Sequence, residues 1–241
     1  MISRSELAEL IRPAVKMARE YSDRRFMIAT NEKSPGQFVS EADEAIERSI
    51  RRNLAERFPS IAVIGEEQGG SLGETTSGWA IDPIDGTTNF VRGLPAWGIS
   101  IGLLENGVSV AGALALPDLD LILIAVRGTR LEVNGHPFIR PKGSPGGKLI
   151  ALGENDFESG DRTDARASEL RRLGFTVVRY RSAVFSLACA AVGRLDGYVE
   201  HGCCIWDIAA ASVICHEAGL SVTATSLGGE RYAINASSQE R

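Results

Sequence analysis

Residues 81–90 read IDPIDGTTNF and follow directly on Trp79-Ala80. Two aspartates, Asp82 and Asp85, stand three residues apart in a run whose other members (Trp79, Ala80, Ile81, Ile84, Phe90) suit a strand entering a core. An ionised carboxylate beside a core is costly unless a positive charge compensates it. Two further acids stand where strand ends and helix starts present groups to a cleft. Glu66 follows IAVIG, and Asp207 lies in the Trp206-Asp207 pair that opens an apolar helical run. Four carboxylates with no Cys or His in the same motifs suit a hard, oxygen-binding cation such as Mg2+ better than Zn2+. Pro83 removes a backbone N–H and stiffens the chain between the two aspartates, which makes the Ile84 carbonyl a further candidate ligand. Gly86-Thr87-Thr88 comes next, with backbone N–H groups suited to phosphate oxygens at a helix start and a Thr87 hydroxyl able to orient a water. Metal ligands and a phosphate cradle within one short stretch point to phosphate chemistry.

Each outlying acid also has a plain structural reading. Asp43, in Ser40-Glu41-Ala42-Asp43, has the spacing of a capping box, and Glu66-Glu67 has the look of a solvated turn. Asp207 suits the first turn of a helix, where the dipole favours an acid. No such reading covers both aspartates of D-P-I-D-G-T-T. His136, His201 and His216 are scattered and are read as structural or surface residues.

The elements that must position these groups follow from periodicity. Leu7, Leu10, Ile11, Ala14, Val15, Ala18 and Tyr21 have helical spacing, with Pro13 as a kink or second start. TNEKSPGQ reads as a loop, and a helix follows Ser40 with Ile46, Ile50 and Leu54 on one face, stopping near Pro59. IAVIG is a short buried strand. WGISIGLL and VSVAGALAL flank Asn106-Gly107, a strong hairpin signal; LILIAV is a third strand, and Asn134-Gly135 marks another turn. PKGSPGGK, residues 141–148, has linker composition and divides the chain into 1–140 and 141–241 within one catalytic unit. Beyond it LIAL, FTVVR, GYVEH and LSVTA read as strands, alternating with helices at TDARASELRRLG, SAVFSLACAAVG and WDIAAASVICHEAG. A meander followed by alternating α and β predicts two sheets with helix layers, an α/β (α+β) fold.

Composition removes other classes. With 241 residues, 44% hydrophobic and 24% charged, the chain is long and apolar enough to bury a sizeable core. A net charge of −5 offers no basic field for nucleic acid. No apolar run approaches the roughly 18 residues a membrane span needs. MISRSELAEL lacks the apolar core of a signal peptide, so a cytoplasmic location is expected. Cys189, Cys203, Cys204 and Cys215 show no C-x-x-C spacing and read as small buried hydrophobes in a reducing compartment.

Glu66-Glu67, the run Trp79 to Phe90, Trp206-Asp207-Ile208-Ala209-Ala210 and Glu217-Ala218-Gly219 together resemble the inositol monophosphatase family, and the likeness extends from about Val39 to Asn235. The resemblance implies a Mg2+-dependent, lithium-sensitive phosphomonoesterase with a layered αβαβα sandwich, acting on a small-molecule phosphate monoester as a homodimer. It implies metal ligation by Glu66, Asp82, the Ile84 carbonyl, Asp85 and Asp207, with Asp82 bridging two of two or three ions, Mn2+ being a substitute. Thr87, hydrogen-bonded to Asp43 and helped by Glu66, is then expected to position the attacking water, with Gly86 and Thr87 holding the phosphate. Ala183 and Glu200 fall where the substrate alcohol is contacted. Gln37, Arg92 and Arg181 depart from the family pattern, and Arg181 takes a place usually held by glycine beside the alcohol pocket.

Overall fold

The structure, a computed structural model, describes residues 2–34, 37–143 and 146–238. The first helix, α1 (Arg4–Ser22), starts at a Ser3–Glu6 capping box, continues through Pro13 and buries the apolar stripe from Leu7 to Ala18. Residues 30–37 were expected as a loop; the chain here instead forms a hairpin of β1 (Thr30–Ser34) and β2 (Gln37–Ser40), with residues 35 and 36 outside the described residues. Its polar composition hid it, because Thr30, Asn31 and Glu32 are exposed and no alternation marks a buried face. The Gln37 side chain lies outside the described residues. Helix α2 (Glu41–Arg57) follows with Ala42, Ile46, Ile50 and Leu54 buried.

The chain then lays down β3 (Val63–Gly65), β4 (Gly69–Gly70), β5 (Gly78–Asp85), the short helix α3 (Thr87–Val91), β6 (Gly98–Glu105), β7 (Val108–Leu116), β8 (Leu121–Val126), β9 (Glu132–Val133) and β10 (His136–Pro137). Among the described residues these strands form one eight-stranded sheet in the order β10-β9-β8-β7-β6-β5-β3-β4. The β6–β7 hairpin turns on Asn106 (φ 50°) and Gly107 (φ 75°), and β9–β10 turns on Asn134 and Gly135, both left-handed as well. β3 and β5 run parallel, unlike the other pairs of this sheet.

Across the predicted linker come β11 (Leu149–Leu152), α4 (Gly160–Arg172), β12 (Thr176–Val178), α5 (Ala183–Ala191), β13 (Gly197–Cys204), α6 (Ile205–Glu217), β14 (Ser221–Gly228) and β15 (Arg231–Ser237). Ser144 and Pro145 of that linker lie outside the described residues. The second sheet has the order β12-β11-β13-β15-β14. β15 was not foreseen, although Gly228-Gly229, both at positive φ, separates it from β14 as a hairpin turn would.

Helices α1 and α2 cover one face of the large sheet, and their apolar stripes join Trp79, Ile81, Ile84, Phe90 and Ile101 in one core. Helices α5 and α6 lie between the two sheets and build a second core with Leu114, Leu116, Tyr198 and Ile234. Helix α6 approaches the large sheet closely enough that a Cβ on Gly112 would stand 2.6 Å from the Ala210 Cα, so this contact requires glycine. With α4 against β12, the layers run α, β, α, β, α. The four cysteines are buried free thiols. Among the described residues no helix is long and apolar enough to cross a membrane.

Candidate active site

β5 carries Asp82 and Asp85 at its C-terminal end, and its pairing with β6 shifts register between them. That irregularity bulges the strand between the two aspartates, and pairing resumes at Asp85 opposite Gly98. Asp82 is 1% exposed, and its Oδ1 accepts from the Ile84 N–H at 3.0 Å, closing a tight turn over Pro83. The parallel β3–β5 pair sets Gly65 beside Ile81, and the Glu66 N–H reaches the Ile81 carbonyl at 3.3 Å. Glu66 and Asp82 therefore leave adjacent strand ends side by side. Ser100 pairs with Asp82 across β5–β6, and its hydroxyl donates to the Trp206 carbonyl at 2.8 Å. This bond, with the close packing of α6 on β6 and β7, brings the start of α6 and Asp207 to the same edge. Asp207 Oδ2 accepts from the Cys204 N–H at 2.7 Å, the first-turn capping role its position suggested.

Asp43 serves two structures at once. Its Oδ2 accepts from the Ser40 N–H (2.8 Å) and hydroxyl (2.5 Å), which caps α2. Its Oδ1 faces the Thr87 hydroxyl at 2.9 Å. Thr87 Oγ1 also lies 3.1 Å from the Ile84 carbonyl, but one hydroxyl has one proton, and the carboxylate is the nearer acceptor. Gly86 holds the turn into α3 at φ 89°; a Cβ there would meet the Ala96 carbonyl oxygen at 3.0 Å and the Ser182 Cβ at 3.1 Å.

Asp85 is fastened from the other half of the chain. Ser182, the N-cap of α5, donates its hydroxyl to Asp85 Oδ2 at 2.6 Å, and the Val184 N–H donates to the same oxygen at 2.6 Å. Ala183 is buried at this helix start, and its N–H also favours the Asp85 carboxylate. Glu200, on β13, is buried with Oε1 accepting from Asn155 Nδ2 at 2.7 Å and Oε2 from the Tyr198 hydroxyl. Arg92 is exposed at the C-terminus of α3.

Four positioning residues escaped the sequence reading. Glu47 is fully buried and accepts from Arg51 Nε at 2.7 Å, the Glu67 N–H at 2.8 Å and the Gln68 N–H at 3.1 Å, which fixes the turn carrying Glu66. Its signal was available, because 43, 47, 50 and 54 share one helical face and an acid on a buried face needs partners. Ser182 had N-cap form in S-A-V-F. Asn155 and Tyr198 carried no local signal.

The electrostatics are those of negative groups crowded together. Burial, then the charges of Glu66, Asp85, Asp207 and Asp43, push Asp82 well above the usual carboxylate range. Burial and the charges of Asp85, Glu200 and Glu66 do the same to Asp207. Burial raises Asp85 to about 6 against the opposing donors Ser182 and Val184. Asp43 and Glu200 are also raised, mainly by burial. The chemistry of this donor set, carboxylates with a nearby backbone carbonyl, fits a hard divalent cation. Asp82 accepts through Oδ1 and Asp207 through Oδ2. As the side chains stand, no three Asp, Glu, His or Cys groups among the described residues close on a single metal position. The fit therefore lies in the kind and charge of the donors.

A family model described as the inositol monophosphatase family matches residues 4–239. The chain belongs to the inositol monophosphatase family. It is 36% identical over 201 residues to inositol-1-monophosphatase of Mycobacterium bovis, covering 78% of this chain and 69% of that protein. It is 32% identical over 208 residues to Nus factor SuhB of Pasteurella multocida, covering 82% and 75%. The structure of inositol monophosphatase from Anabaena (Nostoc) superposes with a TM-score of 0.81 at 31% identity, covering 97% of this chain and 89% of the other. The layered αβαβα sandwich is thus the family's fold, and the family is generally metal-dependent.

Proposed function

We propose that the chain is a Mg2+-dependent phosphomonoesterase that hydrolyses a small-molecule phosphate monoester such as inositol 1-phosphate by in-line attack of water. The observation that carries this is the Thr87–Asp43 hydrogen bond, 2.9 Å long, set next to the carboxylates of β5, β3 and α6. Divalent cations, Mg2+ or Mn2+, held by Glu66, Asp82, the Ile84 carbonyl, Asp85 and Asp207, would supply charge neutralisation for the phosphate and leaving alkoxide and acidify the attacking water. The rest falls to the chain itself. Thr87 donates its hydroxyl hydrogen bond to Asp43 Oδ1, which leaves its oxygen lone pairs as acceptors for a proton of the water. Gly86 and Thr87 offer N–H groups to the phosphate. Glu200, its two oxygens steadied by Asn155 and Tyr198, and the Ala183 helix start receive hydroxyls of the leaving alcohol. Without a covalent intermediate the work is placement and charge balance, as phosphoryl transfer requires.

Phosphate release from inositol 1-phosphate, histidinol phosphate and a sugar bisphosphate, with Mg2+ and with chelator, tests the reading and separates the substrate alternatives. Activity should need the cation, and Asp82→Asn should lose more than any other single carboxylate change. Full turnover in chelator, or an Asp82→Asn enzyme close to wild type, would overturn it. The name Nus factor borne by the Pasteurella multocida relative supports a second reading, a regulatory module with little turnover. That reading leaves the Thr87–Asp43 pair without a task, and it predicts negligible phosphate release from the whole panel. A cytoplasmic homodimer inhibited by lithium completes the proposal.

A further inference from the structure

Arg181 holds φ at 54°, in the left-handed region that disfavours residues with a Cβ. Both of its neighbours are pinned to the site. The Tyr180 carbonyl accepts from Asn89 Nδ2 of α3 at 2.7 Å, and the Ser182 hydroxyl is bonded to Asp85 at 2.6 Å. The backbone cannot relax at Arg181 without releasing one of these, so the surroundings enforce the conformation. The guanidinium lies near enough to Glu200 for its positive charge to favour that carboxylate. Its side chain is 52% exposed and its ion-pair partner Glu154 is 3.8 Å away. Glu154 holds Arg179 more closely through its other oxygen, Oε2, at 3.2 Å, and Arg179 is also bound to Asp164 at 2.6 Å. Glu200 has both oxygens taken by Asn155 and Tyr198. Arg181 is therefore held only by a long ion pair, with its side chain half exposed.

We propose that Arg181 determines specificity on the leaving-group side, selecting phosphate monoesters whose alcohol carries a second anionic group, a carboxylate or another phosphate. The inference rests on the phosphatase reading above. A guanidinium matches either anion with two parallel hydrogen bonds and is charged at every working pH. A neutral polyol gains nothing from it, and a cationic amino alcohol is repelled.

The test compares wild type, Arg181→Gly and Arg181→Lys in Mg2+ on inositol 1-phosphate, histidinol phosphate, 3-phosphoglycerate and fructose 1,6-bisphosphate. Glycine suits a positive φ, so the variant keeps its fold, which thermal unfolding verifies. Wild type should favour an anionic ester over inositol 1-phosphate in kcat/KM. That ratio should fall by about tenfold or more in Arg181→Gly, mostly through KM, which is the scale of one charge-assisted contact. Lysine, keeping the charge but not the two-pronged geometry, should hold the ratio between those of wild type and the glycine variant, and added salt should erode it in wild type but not in the glycine variant. The anionic ester whose advantage disappears identifies carboxylate or phosphate as the group read. A ratio in Arg181→Gly equal to wild type overturns the inference while leaving the phosphatase reading standing. No phosphate release by wild type from any of the four removes that reading, and this one with it.

Discussion

The folded chain opposes the charge of Asp85, and that opposition is measurable as stability against pH in a chelating buffer. Burial pushes Asp85 up to about 6, against roughly 3.9 for the same group in an unfolded chain. Between those values the folded chain keeps a proton that the unfolded chain has released. The resulting stabilisation is complete below the unfolded value and is lost as pH rises through about 6. The interval corresponds to about 3 kcal/mol. Asp82 and Asp207 are raised as well, so they act in the same direction.

Asp85→Asn isolates this term. The amide oxygen still accepts from Ser182 and Val184, but nothing ionises. In denaturant unfolding without divalent cations, the variant should gain about 3 kcal/mol on wild type between about pH 4 and about pH 8. Removing the Asp85 charge also relieves Asp207, for which Asp85 is the largest charged perturber, so the gain errs upward. Mg2+ added at the alkaline end should stabilise wild type more than the variant, since a ligand bound by the folded state alone adds its binding energy to stability. Parallel pH profiles for the two proteins would refute the reasoning. So would a variant that loses ground as pH rises.

The other expectations concern groups that hold the site in shape. Thr87→Ala should lower kcat by about 10² to 10⁴ with little change in the melting temperature. Asp43→Asn should do the same, and the double variant should lose no more than either alone; additive losses would confine Asp43 to capping α2. Glu47→Ala leaves two backbone N–H groups and Arg51 without their shared acceptor and should cost about 3–5 kcal/mol in unfolding experiments. It should also slow turnover through the displaced Glu66 turn, whereas an unchanged unfolding midpoint would show that Glu47 fixes nothing. Gly86→Ala forces a Cβ against the Ala96 carbonyl and the Ser182 Cβ at positive φ, and should cost about 1–2 kcal/mol and most activity.

What could be read from the sequence was whatever repeats locally. The stripe of α1, the Asn106-Gly107 hairpin and the Ser40–Asp43 cap are each decided by residues a few positions apart, and each stands as expected. The hairpin at residues 30–40 and strand β15 were lost for the opposite reason. Thr30, Asn31 and Glu32 are exposed, and β15 buries only Ile234 and Ala236, an alternation too short to record the pairing. The site divides along the same line. Its paired aspartates were legible because a buried strand has no other use for them, while spacing gave Asp43 only as a cap and the family resemblance gave it as the partner of Thr87. The groups that aim those acids were not. Ser182 and Val184 reach Asp85 from nearly a hundred residues away, and Asn155 fixes Glu200 across two strands of the second sheet. Each of these bonds joins the two sheets' halves of the chain or crosses between strands, so it exists only after the layers have packed. Spacing therefore reveals which side chains carry charge, while the direction each one faces is a property of the assembled α5–β5 and β11–β13 contacts. Arg181 divides in the same way: the family resemblance set it beside the alcohol pocket, while its positive φ and its two anchored neighbours follow from bonds of Tyr180 to α3 and of Ser182 to Asp85 that no motif records.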